Sequence, residues 1–306
     1  KKAFRFTRWA SLLMLVLALF VATVCSAAEK FVPPADNPAL KAAFDAIKVD
    51  SSDINTQIRL IWANDQAWYC RWKMIEQAKK TIDCTYYIID KDIFGVSFLG
   101  LLKKKALEGV KIRLMVDGRI YRFPYMKGMP ARIQDLARTK NIEIKLYNPI
   151  LKSLISAFED ARAIAASNHD KIIVVDGIMS ITGGRNIGPD YFGGKGEGAI
   201  IYRDTDILMK GTHVATQMTK AFSDEWKSLH TSFVTPKLLD FKDHTQELDL
   251  AYRVMNRYMN GMGLFDPKKV GISKDMALIL EKFNKEVSAF KNISSFASYD
   301  QWHGER

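Results

Sequence analysis

The run Ile172-Ile173-Val174-Val175 constrains the fold more tightly than any other stretch of the chain. Four consecutive β-branched residues fit a short strand covered on both faces, which requires layers of structure above and below it. Both ends of this strand carry chemistry. His169 and Lys171 precede it, Asp176-Gly177 follows as a turn signal, and Ile178 to Thr182 can return as a partner strand. Gly183-Gly184-Arg185-Asn186 closes the unit, so the whole reads H-x-K-x4-D-x6-G-G-x-N.

Side chains alternate along a strand, which puts His169 and Lys171 on one face. An imidazole can attack phosphorus and hold a covalent phosphoryl group, dividing one hard displacement into two easier ones. A lysine ammonium beside it offsets the charge on the non-bridging oxygens, and the Asn186 amide adds a fixed dipole. Gly183 and Gly184 are expected to let the backbone approach the phosphate closely. Asp176 is expected to support the strand-turn geometry rather than the chemistry. No metal or other cofactor is called for. The five histidines, at positions 169, 213, 230, 244 and 303, are scattered, and none pairs with Cys or a carboxylate at zinc-like spacing. Lys171 is expected to do what a metal ion does in other phosphodiesterases.

The pattern resembles the HKD signature of the phospholipase D superfamily. Ala67 to Asp117 is similar to that family's amino-terminal βαβ unit, and Asn186-Ile187-Gly188-Pro189-Asp190-Tyr191-Phe192 resembles its cardiolipin synthase-like bacterial branch. So does Tyr202-Arg203-Asp204-Thr205-Asp206, leading to Lys210-Gly211. The resemblance implies that His169 is the nucleophile, that Lys171 and Asn186 bind phosphate with Gly183 and Gly184, and that Asp204 orients an active-site imidazole. It also implies a phospholipase D-like layered α/β fold and a phosphodiesterase or phosphatidyltransferase acting on glycerophospholipids. An exported endonuclease with the same chemistry and a non-catalytic membrane-binding half-domain are the competing readings. Neither aromatic stacking platforms nor a dense basic stripe is visible, so nucleic acid is the less favoured partner.

Alternating periodicities place strands at 81–89, 111–117, 142–147, 171–176, 178–182 and 198–203, with helices at 66–79, 96–108, 130–138 and 212–228. This alternation predicts a mixed, mostly parallel sheet flanked by helices. Leu151 to Ala166 is apolar at helical spacing and is expected to pack over or beside the site. Residues 29–57 read as a leader or linker, 58–235 as the domain with the single motif, and 236–306 as a helical extension or the start of a second half. Lys242 to Met262 and Ser273 to Phe290 are amphipathic there, and Met255, Tyr258, Met259, Met262 and Phe265 are expected to serve core packing before a membrane or partner.

Residues 1–28 read as an export signal or anchor, with Lys1, Lys2, Arg5 and Arg8 ahead of an apolar run and Ser26-Ala27-Ala28 after it. This predicts an exported protein, periplasmic or membrane-associated. Net charge is +11, and beyond residue 28 there remain 41 basic and 34 acidic residues, an excess that suits anionic partners. Cys70 and Cys84 are expected to be small buried residues, a disulfide being the alternative. Protonating the leaving oxygen calls for a second imidazole, yet no other histidine is followed by Lys at the second position. A second motif is therefore expected, from the same longer chain or from a homodimer.

Overall fold

The computed structural model describes residues 38–45, 55–121, 128–149, 166–193, 201–235, 244–266 and 272–289. The export signal and nearly all of the apolar segment 151–166 lie outside them. The chain divides into two units, residues 1–53 and 54–306. In the first, the described part is one helix, α1 (Pro38–Asp45).

The second unit is built on one eight-stranded sheet. Its strands are β1 (Gln57–Ile61), β2 (Thr81–Tyr86), β3 (Lys111–Asp117), β4 (Ile142–Tyr147), β5 (Ile172–Val175), β6 (Met179–Gly183), β7 (Asp206–Lys210) and β8 (Thr231–Phe233), in the spatial order 1-7-6-5-2-3-4-8. The sheet is mixed, as expected, but it is not mostly parallel. Only β2–β3 and β3–β4 pair in parallel, and the other five pairings are antiparallel. A parallel pair needs a crossover long enough to return the chain to the same end. Here the helices α3 (Ile93–Leu107) and α4 (Met129–Leu136) supply it, whereas β5 and β6 are joined by a tight turn.

Helices cover both faces. On one side α2 (Asn64–Gln77), α3 and α7 (Thr245–Met259) enclose the main core, where Trp68 meets Phe94 edge-on with ring centroids 5.0 Å apart. Helix α3 is buried almost all round, and the Asp92 carboxylate caps it by accepting from the Phe94 and Gly95 amides. Helix α7 packs directly across it. A Cβ on Gly100 would lie 2.2 Å from the Leu248 carbonyl oxygen, so only glycine permits that approach. After the one-turn helix α5 (Pro189–Phe192), α6 (Thr212–Lys227) covers the other face and sets Ala215 against Ile172 and Val174, and Phe222 and Trp226 against Met115. Strand β5 is thus covered twice, with Ile173 and Val175 in the main core and Ile172 and Val174 under α6.

Residues 236–306 contribute to that core. Leu248, Ala251, Val254 and Met255 of α7 are buried in it, as are Leu280, Phe283 and Val287 of α8 (Lys274–Ser288). Met259 is buried and Tyr258 and Phe265 pack against the core, but Met262 is exposed. Cys70 and Cys84 are free and buried, with burial pushing the Cys70 thiol up to about 12. The strand expected at 198–203 is instead β7, further along the chain; 194–200 lie outside the described residues and 201–205 are not in a strand. The edge strands β1 and β8 were not foreseen: β1 alternates Gln57-Ile58-Arg59-Leu60 but leaves Ile58 and Leu60 exposed, and β8 is only three residues long. Among the described residues no helix is long and apolar enough to cross a membrane.

Candidate active site

The motif enters the sheet at the carboxyl ends of the parallel strands, the usual place for sites in such sheets. Strand β5 begins at Ile172, so His169 and Lys171 lie on its lead-in rather than in the strand itself. Buried Asp117, the last residue of β3, anchors that lead-in: one carboxylate oxygen accepts the Asn168 amide and the other the Arg119 amide, both at 2.8 Å. The Asn168 side chain then accepts from the Asp170 amide at 2.9 Å.

This brace presents His169 and Lys171 together, as the two-residue spacing predicts. Lys171 Nζ lies 3.1 Å from His169 Nδ1 and donates to the His169 carbonyl at 2.5 Å. The imidazole is exposed, whereas Lys171 is only 3% exposed. Tyr87, just after β2, packs its ring 4.6 Å from the imidazole at a 56° tilt, and Lys171 Nζ sits 5.6 Å from the same ring. Arg119 donates to the Tyr87 hydroxyl at 2.9 Å. Partial burial, then the Lys171 charge, lowers the His169 pKa from its ordinary value; Asp170 opposes this and Arg119 reinforces it. Burial likewise lowers the Lys171 ammonium, against the pull of Asp170 and Asp204.

The remaining motif residues have defined partners. Asn186 is buried, its Oδ1 accepting from the Ile88 amide at 3.1 Å and its Nδ2 donating to Tyr191 Oη at 2.8 Å. A Cβ on Gly183 would lie 2.1 Å from Asp206 Oδ1, and one on Gly184 would lie 2.4 Å from Asp204 Oδ1. Among the described residues, the close approach that needs these glycines is therefore that of the chain at 204–206. Asp204 is half-buried beside Gly184 and acts on Lys171 through its charge; no hydrogen bond joins it to His169 among the described residues.

Asp176 stands at the far end of β5 with φ at 54°. Its carboxylate accepts three successive amides, from Lys79, Lys80 and Thr81, at 2.7–2.8 Å, and so ties the β5 turn to the start of β2. Asp176→Ala is expected to destabilise the protein by about 2 kcal/mol, through the lost charge-assisted bonds and an alanine in the left-handed region. Urea unfolding of the variant tests this; an unchanged midpoint would contradict it.

Sequence reasoning missed Asp117, Tyr87, Arg119 and a buried ionic cluster next to the motif. Asp206, 0% exposed, accepts from Arg71 at 2.7 Å and from Arg185 at 2.9 Å through the same carboxylate oxygen. Arg185, inside the motif, also holds the Ile61 and Trp62 carbonyls and the Asn64 side chain. The available signal for Asp117 and Tyr87 was their place at or just past the ends of apolar strands. Among the described residues no three His, Cys, Asp or Glu side chains are grouped to hold a metal ion. His213 contacts Gln217, His230 packs near Tyr147 and buried His244 pairs with Glu247.

The family model "Cardiolipin synthase, PLD-like domain" matches residues 72–226, about half the chain. Cardiolipin synthase C of Escherichia coli is 29% identical over 163 residues, covering 52% of this chain and 33% of that protein. Cardiolipin synthase of Geobacillus thermodenitrificans is 28% identical over 206 residues, covering 67% of this chain and 39% of that protein. The chain thus spans well under half the length of these curated relatives. Phosphatidylserine synthase from Haemophilus influenzae aligns in three dimensions with a TM-score of 0.47 at 17% identity, over 66% of this chain and 43% of that one.

Proposed function

The chain belongs to the phospholipase D-like domain family of cardiolipin synthases, and from that premise we propose that it carries one half of a site for phosphodiester hydrolysis or phosphatidyl transfer on glycerophospholipids. The observation that carries this reading is the 3.1 Å approach of a buried lysine ammonium to an exposed imidazole.

In the proposed mechanism, Lys171 holds the His169 lone pair at Nδ1 in the free site. A phosphodiester draws Lys171 Nζ onto its non-bridging oxygens and releases the ring to attack phosphorus. The P–N bond forms as the bond to the leaving alcohol breaks, giving a phosphohistidine and an alkoxide that must receive a proton. Water or an acceptor alcohol then attacks phosphorus, the P–N bond breaks to restore the free imidazole, and the proton shed by the attacking oxygen passes to the group that protonated the first leaving oxygen. The Asn186 amide adds a neutral dipole beside the phosphate, Gly183 and Gly184 keep the neighbouring backbone close, and Asp204 keeps a negative charge on the Lys171 side of the site.

The leaving oxygen takes its proton from a second imidazole. Among the described residues no hydrogen bond or ring contact joins another histidine to His169, which supports a second motif supplied by a longer chain or a homodimer partner. The motif lies in the unit spanning residues 54–306, and residues 1–28 direct export to a membrane-associated, periplasmic setting. The experiment offers phosphatidylglycerol vesicles and supercoiled DNA in parallel, in the presence of chelator, to the protein paired with its second motif. Lipid turnover with intact DNA is expected; DNA cleavage without lipid turnover overturns the reading.

A further inference from the structure

We propose that Tyr87 and Arg119 are positioning residues for His169, Tyr87 setting the tilt of the imidazole and Arg119 locking Tyr87 through its hydroxyl. The inference rests on the reading of His169 as the nucleophile.

One aromatic ring touches both motif residues. The Tyr87 ring lies 4.6 Å from the His169 ring and 5.6 Å from Lys171 Nζ. An exposed imidazole has two soft torsions, and a flat neighbour removes most of that freedom on one side. The neighbour is itself fixed. Arg119 donates to its hydroxyl at 2.9 Å and places its guanidinium carbon 5.7 Å from the ring centre. Arg119 is held in turn by its backbone amide on Asp117, the carboxylate that braces Asn168. The path from β3 through Arg119 and Tyr87 to the imidazole therefore closes a loop with the path from β3 through Asp117 and Asn168. Only Asn168 in that loop is covalently adjacent to His169, so Tyr87, from the end of β2, restrains the ring from outside its own segment.

The loop also adds to the bias on the ring's charge, after burial and the Lys171 ammonium. The charged and titratable groups that face His169 are Lys171 and Asp170 from its own segment, Arg119 from the turn after β3 and Tyr87 from the end of β2, while Asp204 acts on Lys171. Arg119 adds to Lys171 in disfavouring the imidazolium.

The test uses the full chain paired with its second motif and labelled with 15N-histidine in this chain alone, the His169 signal being assigned by its loss in His169→Gln. Arg119→Gln is expected to raise the pH midpoint of that signal, and Arg119→Lys to return it toward wild type. Tyr87→Phe, which keeps the ring and removes the hydroxyl, is expected to lower kcat about tenfold on phosphatidylglycerol with KM little changed, since small misplacements of a nucleophile are costly in rate. Circular dichroism confirms folding of each variant. A wild-type midpoint in Arg119→Gln, or wild-type kcat in Tyr87→Phe, overturns the proposal. A raised midpoint in a protein that turns over no phosphodiester upholds the Arg119 linkage and overturns the nucleophile reading instead.

Discussion

Replacing His169 by alanine is expected to lower phospholipid turnover by about four orders of magnitude or more, because no other group in the half-site can take over the bond to phosphorus. The same change should leave stability within about 1 kcal/mol of wild type, since the side chain is exposed and its contacts among the described residues are with Tyr87 and Lys171. This contrast between lost rate and retained fold separates a chemical role from a structural one. The pH profile gives a second reading of the same residue. Attack requires the neutral ring, and burial together with the Lys171 charge lowers its pKa. On the acid side, activity should accordingly fall only as pH drops below the ordinary histidine range of about 6.5. An acid limb above that range would contradict the electrostatic account.

Removing Asp206 is expected to be the most damaging single change to the fold. Asp206→Ala leaves Arg71 and Arg185 buried without their shared counter-charge, and breaking a buried pair from one side costs about 3–5 kcal/mol. Both guanidiniums tie β7 to the start of the domain, through the Ala67 carbonyl in one case and the Ile61 and Trp62 carbonyls in the other. Burial pushes the Asp206 carboxyl up, but the Arg71 and Arg185 charges and hydrogen bonds outweigh it and hold the group below the usual carboxylate range. A depressed carboxyl contributes stability that is present above its unfolded value of about 3.9 and is lost as pH falls through the folded value. Urea unfolding at pH 7 and at pH 3 should show that acid-dependent part in the wild type and a smaller one in the variant. Equal unfolding midpoints for the two proteins at pH 7 would contradict the assignment.

Local period and local chemistry made one part of the protein legible in its sequence. The unbroken Ile-Ile-Val-Val run requires cover on both faces and has it; His169 and Lys171 do meet, but from the lead-in to β5 rather than on a strand face. The sense of the sheet was not legible in the same way. Helix-strand alternation in the first half invites a parallel reading, but the strands from β5 onward are linked by short turns or an excursion that reverse direction. Strand β7 was misplaced because Ile201-Tyr202 and Ile207-Leu208-Met209 look alike in composition. Pairing selects the second, where Asp206 reaches the two arginines, and leaves Ile201 and Tyr202 exposed.

Contacts over long sequence separations explain the remaining misses. Arg71 and Asp206 are 135 positions apart, and Asn168 is 51 from Asp117. No window of sequence displays such pairs. The glycines at 183 and 184 were read as room for a ligand, yet the structure fills that room with residues 204–206. Tyr87 and Arg119 carried no motif at all, and only the convergence of strand ends brings them to the imidazole.

The most direct measurement is to quench a reaction on phosphatidylglycerol within a single turnover in alkaline denaturant, which preserves phosphohistidine, and to map the adduct by peptide mass spectrometry. A phosphatidyl group on the peptide containing His169, absent from His169→Ala, is the predicted result. Full turnover with no adduct at any time point, or an adduct on a different residue of this chain, would contradict the account.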